Sequence, residues 1–435
     1  MTRGFSSLTS GRRGRAIFLA SAFLFASAAS AQEAASGDWI GNSAGIAKPS
    51  LTYLGRVPVV DAEAAPPADA LIADGASADG TRRRAALAGK TKERKSSGFV
   101  AVDTATGAVY RIDASSADLA MLHELMVEAG ATAASDAGES AMASRSSQSP
   151  GVLVEESWSD GVNNFVRRGI ADGFPANHDT FRRIGQIGSG CSGTLVGPRH
   201  VLTVAHCVVD NITMEVFSSS FRPRRDGSDP AVPAVAPFGA RSFMTYIFPQ
   251  EYWNGTCDFL DQRDCNKFDI ALGILNSNFT NLPWMGFGAF QLGSLNSFTK
   301  QMRGYPRCEG DDDEDGIVTP DAEAPNPCSK STLYGDSGLC TIGAIGSPDS
   351  DTWNRELWVD CDGARGMSGS AMYALDSTLG MAALGAYSQF ECTAAACANH
   401  AKGEFPNVMT RITPQYAAMI SAGKALFNCP SGTCP

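Results

Sequence analysis

All twelve cysteines of this chain lie between Cys191 and Cys434, and residues 32–190 hold none. So many cysteines, even in number, point either to metal binding or to pairing. No C-x-x-C pair occurs anywhere in the 435 residues, which removes the usual zinc pattern. Oxidised pairs in an exported protein are the better reading. The same asymmetry divides the chain into a cysteine-free N-terminal part and a remainder that bridges can staple.

The N-terminus agrees with export. Residues 1–15 carry Arg3, Arg12, Arg13 and Arg15 and no acid, and Ala16 to Ala26 is an apolar run. Ala29-Ser30-Ala31 is a small-residue cleavage site before Gln32. Charge, short apolar stretch and A-x-A make residues 1–31 a signal peptide. A membrane anchor is the alternative, but the run is short of the ~20 apolar residues a span needs. The expected location is secreted or periplasmic, with no membrane association after signal cleavage. The net charge of −11 also argues against nucleic acid or an anionic membrane surface as partner.

Residues 32–151 read as a propeptide with linkers. The stretch 32–97 is rich in Ala, Gly, Asp and Pro and carries a basic run, Arg82, Arg83, Arg84, Lys90, Lys92, Arg94 and Lys95. Such a run is a solvated linker and an easy cut site. A small hairpin-helix unit is expected at 98–130. Two β-rich runs in GFVAVDTATGAVYRI (98–112) flank an Asp-Thr-Ala-Thr-Gly turn, a hairpin signal. Leu119, Leu122, Leu125 and Met126 then recur at helical spacing. A unit this small is barely stable alone and must lean on something. Residues 130–151 are Ala/Ser/Gly-rich and read as a tether.

From residue 152 the texture changes to short runs of Val, Ile, Leu and aromatics broken by Gly, Pro, Asn and Asp. That spacing predicts an all-β barrel or sandwich. One helix closes the chain: Thr413-Pro414 is an N-cap with Pro at the first helical position.

Three blocks carry chemistry. CSGTLVGPRHVLTVAHCV (191–208) ends a second β run on His206. A structural histidine beside a structural cysteine fits this block as well as a functional one does. FDIALGIL (268–275) starts an apolar strand with Asp269. It is either an exposed strand-end acid or a buried one that orients a histidine. CDGARGMSGSAMY (361–373) surrounds Ser368 with Gly363, Gly366 and Gly369. Glycines allow a tight loop whose N–H groups converge on a developing oxyanion, although Gly/Ser loops are common.

The order His206, Asp269, Ser368 is one of three chain orders in which the serine triad occurs. With TVAHC, DIAL and GMSGS in that order, the chain resembles the chymotrypsin/trypsin-like serine peptidase family. The resemblance covers about residues 180–425. RRIGQIGSGCSGTLVGPRHVLTVAHC, Gly304-Tyr305-Pro306 and the G-x-S-G-S block look closest to the bacterial glutamyl-endopeptidase-like branch.

The resemblance implies two antiparallel Greek-key β-barrels with a C-terminal helix, in a domain spanning 152–435. The first barrel would lie at about 180–290 and the second at about 291–425. It implies a secreted serine endopeptidase, made as a precursor, acting on protein or peptide substrates with its own propeptide as a further partner. A disulfide-rich binding protein on an inactive peptidase fold is the alternative, and the presence of all three triad residues speaks against it. Ser368 would be the nucleophile, His206 the base, Asp269 the orienting acid, and Gly366 and Ser368 the oxyanion hole. Asp362 and Ser388 would line the substrate side, with Tyr387 where glutamyl enzymes usually carry a histidine. Met367 replaces the family's usual Asp, which puts the trypsin-type activation switch in doubt. Gly335-Asp336-Ser337-Gly338 matches the common serine block more literally. It is set aside because strand runs of the length expected for a final half-barrel follow Ser368 and not Ser337.

The family supports a Cys191–Cys207 bridge. The other cysteines fall into sequence neighbours: Cys257/Cys265, Cys308/Cys328, Cys340/Cys361, Cys392/Cys397 and Cys429/Cys434. No cofactor is implied. Asp311, Asp313, Asp315 and Gly316 match the opening of a calcium loop, but Ala322 stands where a bidentate Glu is required, so the acidic loop reads as a solvated one and no metal is expected.

Overall fold

A computed structural model describes residues 50–61, 98–113, 165–188, 190–210, 213–229, 231, 233–253, 266–306, 331–336, 339–345, 354–364, 366–376, 380–390 and 407–427. The signal peptide expected at 1–31, the basic run at 82–95, the helix expected after residue 114, the tether expected at 130–151, the acidic loop at 309–327 and eight of the cysteines lie outside these residues.

Five strands precede the expected barrels: β1 (Ser50–Arg56), β2 (Val59–Asp61), β3 (Phe99–Asp103), β4 (Ala108–Asp113) and β5 (Phe165–Arg167). The first barrel uses β6 (Ile184–Ile187), β7 (Cys191–Gly197), β8 (His200–Thr203), β10 (Ser220–Pro223), β11 (Arg241–Pro249) and β12 (Ala271–Leu275), with the short β9 (Val216–Ser218) beside it. Its strand order is β11-β10-β6-β7-β8-β12, and pairing of β12 back onto β11 closes the ring. Closure of this kind leaves no open edge.

The second barrel follows from β13 (Gly286–Phe287), β14 (Thr299–Gly304), β15 (Tyr334–Asp336), β16 (Ile342–Ile345), β17 (Glu356–Val359), β18 (Ala371–Asp376), β19 (Gly380–Phe390) and β20 (Asn407–Arg411). The order β16-β17-β20-β19-β18-β14 makes a partial barrel. Among the described residues its two ends meet at one bridge, where the Cys340 N–H donates to the Lys300 carbonyl at 2.9 Å. Gly335 and Asp336, from the more literal serine block, sit in β15 between β14 and β5.

Helices are few among the described residues: α1 (Gln250–Trp253), α2 (Leu292–Ser297) and the C-terminal α3 (Pro414–Phe427). The last lays Tyr416, Ala417, Met419 and Ile420 against Leu202, Ile247, Ile270 and Leu272 of the first barrel. The fold is thus the all-β two-barrel architecture with a closing helix.

The β-runs at 98–112 form the hairpin β3–β4, and it does not stand apart. Strand β3 pairs with β11 from Thr245↔Asp103 to Pro249↔Phe99, and β1 pairs with β4. The turn is pinned as well, because Thr104 donates its N–H to Met244 O and its hydroxyl to Phe243 O. Successive residues of β3 point to opposite faces. Val100 and Val102 enter one core cluster while Phe99 and Ala101 enter the other. Strand β2 runs parallel to β9, from Val59↔Val216 to Asp61↔Ser218.

Candidate active site

His206 stands on a short 3-10 turn, Ala205–Cys207, that follows β8 directly. The Cys191–Cys207 bridge, with a Cα–Cα distance of 6.1 Å, ties that turn to the start of β7. A second expected neighbour pair, Cys340–Cys361, is also bridged, at a Cα–Cα distance of 4.8 Å. A ring nitrogen of His206 lies within 4.8 Å of both sulfurs of the first bridge. Both sulfurs are spent in that bridge, so the trio is not a metal site.

Asp269 precedes β12 and grips His206 twice. The backbone N–H of His206 donates to Oδ1 at 2.9 Å, and its Nδ1 lies 2.7 Å from Oδ2. An ionised carboxylate only accepts, so Nδ1 carries the hydrogen and Nε2 is left as the acceptor. The His206 and Asp269 side chains are 15% and 5% exposed, which keeps their interaction in a poorly screened setting.

The second barrel completes the seat of the acid. Ser388 is fully buried and donates its hydroxyl to Asp269 Oδ2 at 2.6 Å. It is the extra residue of a bulge in β19, where the register slips between Tyr387 and Gln389; bulges re-aim side chains in this way. Thr410 of β20 donates to the Asp269 carbonyl at 2.9 Å. The hydroxyl of Ser388, a residue expected at the substrate side, thus faces the acid.

Ser368 lies on the loop between Ala364 and Ser370. Turn bonds shape it: Met367 N–H to Ala364 O at 2.9 Å and Ser370 N–H to Met367 O at 2.8 Å. Gly366 and Gly369 take φ of 86° and 85°, a region that favours glycine. A Cβ on Gly369 would meet Ser192 O and Thr203 Oγ1 at 2.2 Å. The loop is pinned across the barrel interface, because the Ser192 N–H donates to Ser368 O at 2.8 Å. Cys207 Sγ lies 3.6 Å from that same oxygen. Among the described residues, the Ser368 hydroxyl and the Gly366 and Ser368 amides make no hydrogen bond. Hydroxyl and amides of this kind are what an incoming carbonyl would meet.

Residues 170–279 match the Trypsin family. Three solved structures are similar in part. One is a Glu endopeptidase at 19% identity, covering 63% of this chain and 100% of that one, with a TM-score of 0.40. The protease Anisep from Arthrobacter nicotinovorans is 16% identical over 56% and 97% of the two chains, with a TM-score of 0.36. A thermostable serine protease, AL20, from an extremophilic microorganism is 17% identical over 57% and 98%, with a TM-score of 0.35. No curated protein matches the chain.

The structure buries the remaining expected residue beside the second bridge. Asp362 is fully buried, one residue past Cys361. Beside it, a Cβ on Gly363 would meet Tyr387 Oη at 2.5 Å, and that hydroxyl lies 3.2 Å from Asn407 Oδ1. A second buried histidine, His200, is held well below its usual pKa by burial first and then by Lys424 and Arg199. It sits at the start of β8, in the barrel wall rather than at the Ser368 loop. The hydrogen-bonding roles of Ser192, Ser388 and Thr410 had no signal in the sequence, since each rests on a partner more than 100 residues away.

Proposed function

We propose that this trypsin-family protein is a secreted serine endopeptidase, made as a precursor, that hydrolyses peptide bonds through an acyl-enzyme. The reading rests above all on the His206–Asp269 pair, held by two hydrogen bonds, and on a glycine-flanked Ser368 whose carbonyl lies 3.6 Å from Sγ of Cys207, the neighbour of His206. Ser368 Oγ attacks the scissile carbonyl carbon, and His206 Nε2 takes its proton. Negative charge builds on the carbonyl oxygen, which the Gly366 and Ser368 amides receive. As the C–N bond breaks, His206 returns the proton to the leaving amine and leaves an ester on Ser368. Water then attacks that ester by the same route. Asp269 holds the ring with Nδ1 protonated and stabilises the imidazolium that forms in each half-reaction. The free Ser368 hydroxyl fits this reading, since catalytic hydrogen bonds often tighten only with substrate present.

Digestion of a mixed peptide library by the processed protein, with Ser368→Ala alongside, is the test. Cutting that vanishes in the variant supports the triad. The residue before each cut then decides between a basic pocket at Asp362 and a glutamyl-type pocket. Cutting that persists in Ser368→Ala refutes Ser368 as the nucleophile, and absence of cutting by the processed protein refutes the proposal and leaves the inactive binding fold.

A further inference from the structure

We propose that Ser192 is a positioning residue that locks the Ser368 loop in its oxyanion-binding form through its side-chain hydroxyl. The inference rests on the reading of Ser368 as nucleophile. Ser192 is the second residue of β7, in the first barrel, and is fully buried. Every polar group it owns is engaged. Its N–H donates to Ser368 O at 2.8 Å, and its carbonyl accepts from Thr203 Oγ1 at 2.9 Å. The hydroxyl donates to Gly366 O at 2.9 Å and accepts from the Tyr305 N–H at 2.8 Å. One hydroxyl has one hydrogen to give, and Gly366 receives it.

The two carbonyls that Ser192 holds belong to the two residues whose amides would receive the oxyanion. This matters most at Gly366. Glycine populates positive and negative φ about equally, so nothing in its own covalent structure keeps Gly366 at φ 86°. Rotation to the other basin would swing its carbonyl off Ser192 and reorient the peptide around its N–H. The Ser192–Gly366 bond selects the observed basin. The bond from Tyr305, next to β14, in turn orients the Ser192 hydroxyl toward Gly366. A first-barrel serine thus sets the geometry of a second-barrel loop.

The experiment compares wild type, Ser192→Ala and Ser192→Thr for kcat, KM and affinity for a peptide boronate. Boron forms a tetrahedral adduct on the serine oxygen and places an oxygen where the oxyanion would sit, so its affinity reports the hole directly. Ser192→Ala is expected to lower kcat about tenfold, roughly the worth of one buried hydrogen bond. Boronate affinity should fall by the same factor while KM stays put, and Ser192→Thr, which keeps the hydroxyl, should restore both. A kcat and boronate affinity unchanged in folded Ser192→Ala overturn the proposal, as does a loss confined to KM. If the alanine variant does not fold, the threonine variant decides. Wild-type-like kcat and boronate affinity support the role, and a tenfold loss in a folded threonine protein refutes it. A wild type that takes up no boronate overturns the Ser368 reading together with this one. Boronate bound equally by wild type and alanine variant overturns only this one.

Discussion

Asp269→Asn isolates the job of the acid with almost no change in shape. An amide offers one acceptor oxygen and one NH2 where the carboxylate offered two acceptors. The Oδ1 side faces the backbone N–H of His206, a donor that cannot change. The amide oxygen must take that side, which turns the NH2 toward Nδ1 and the Ser388 hydroxyl. Ser388 can rotate to accept, but Nδ1 must give up its hydrogen. The ring proton then sits on Nε2, which can no longer accept from Ser368. The variant also loses the charge that stabilises the imidazolium. Together these losses should lower kcat by about 10^3- to 10^4-fold, or about 4–5.5 kcal/mol of transition-state stabilisation. KM should change little, because the Asp269 side chain is 5% exposed and makes its contacts within the protein. Steady-state hydrolysis of a peptide amide gives kcat, and nitrogen chemical shifts of His206 report which ring atom holds the proton. A loss smaller than tenfold, or a ring still protonated on Nδ1 in the variant, would refute the reasoning.

Gly369→Ala should unfold the Ser368 loop. Left-handed backbone costs about 1–2 kcal/mol for a residue with a side chain, and the new Cβ would press into Ser192 O. A denaturation midpoint equal to wild type would contradict this. Deleting residues 50–113 should abolish cooperative folding, so a processed form is expected to keep these strands paired with the barrel after any cut in the 82–95 run. Phe99, Val100, Val102, Val109 and Ile112 are all fully buried. At about 1.5–3 kcal/mol each, they contribute as much as a typical domain's whole stability. A chain starting at residue 114 that melts like the longer protein would overturn that expectation. Stability should also fall with acidity through His200. Its folded pKa lies well below the ordinary 6.5, so the unfolded chain takes up the proton first. The neutral ring's contribution is complete above about pH 6.5 and declines as pH drops toward the folded value. Urea titrations at several pH values should show a shallower acid slope for His200→Leu; an unchanged slope would count against the assignment.

The parts of this protein that were legible in sequence are those whose signal is local. TVAHC puts His206 and Cys207 on one short turn, and the Cys191–Cys207 bridge spans a single strand hairpin. The glycines around Ser368 announce a tight loop before any partner is known, and Gly366 and Gly369 do adopt positive φ. The turn after Asp103 marks the hairpin β3–β4 in the same way. Alternation within a strand shows that a residue faces inward, but not which distant group it meets there.

That limit explains what tertiary structure alone decided. Ser388 reads as one more small residue in a β run, and only the slip in β19 against β20 turns it onto Asp269. Asp362 carries the same letter whether it faces solvent or the interior, and packing put it inside. The cysteine-free N-terminal part looks like a detachable leader, yet β3 is buried on both faces against β11 because that pairing covers apolar surface on each side. Ser192 follows a cysteine without any motif of its own, and its hydroxyl finds Gly366 only once the two barrels meet. Local chemistry thus set which residues could form a site, while long-range strand pairing, which no sequence period encodes, set which of them touch.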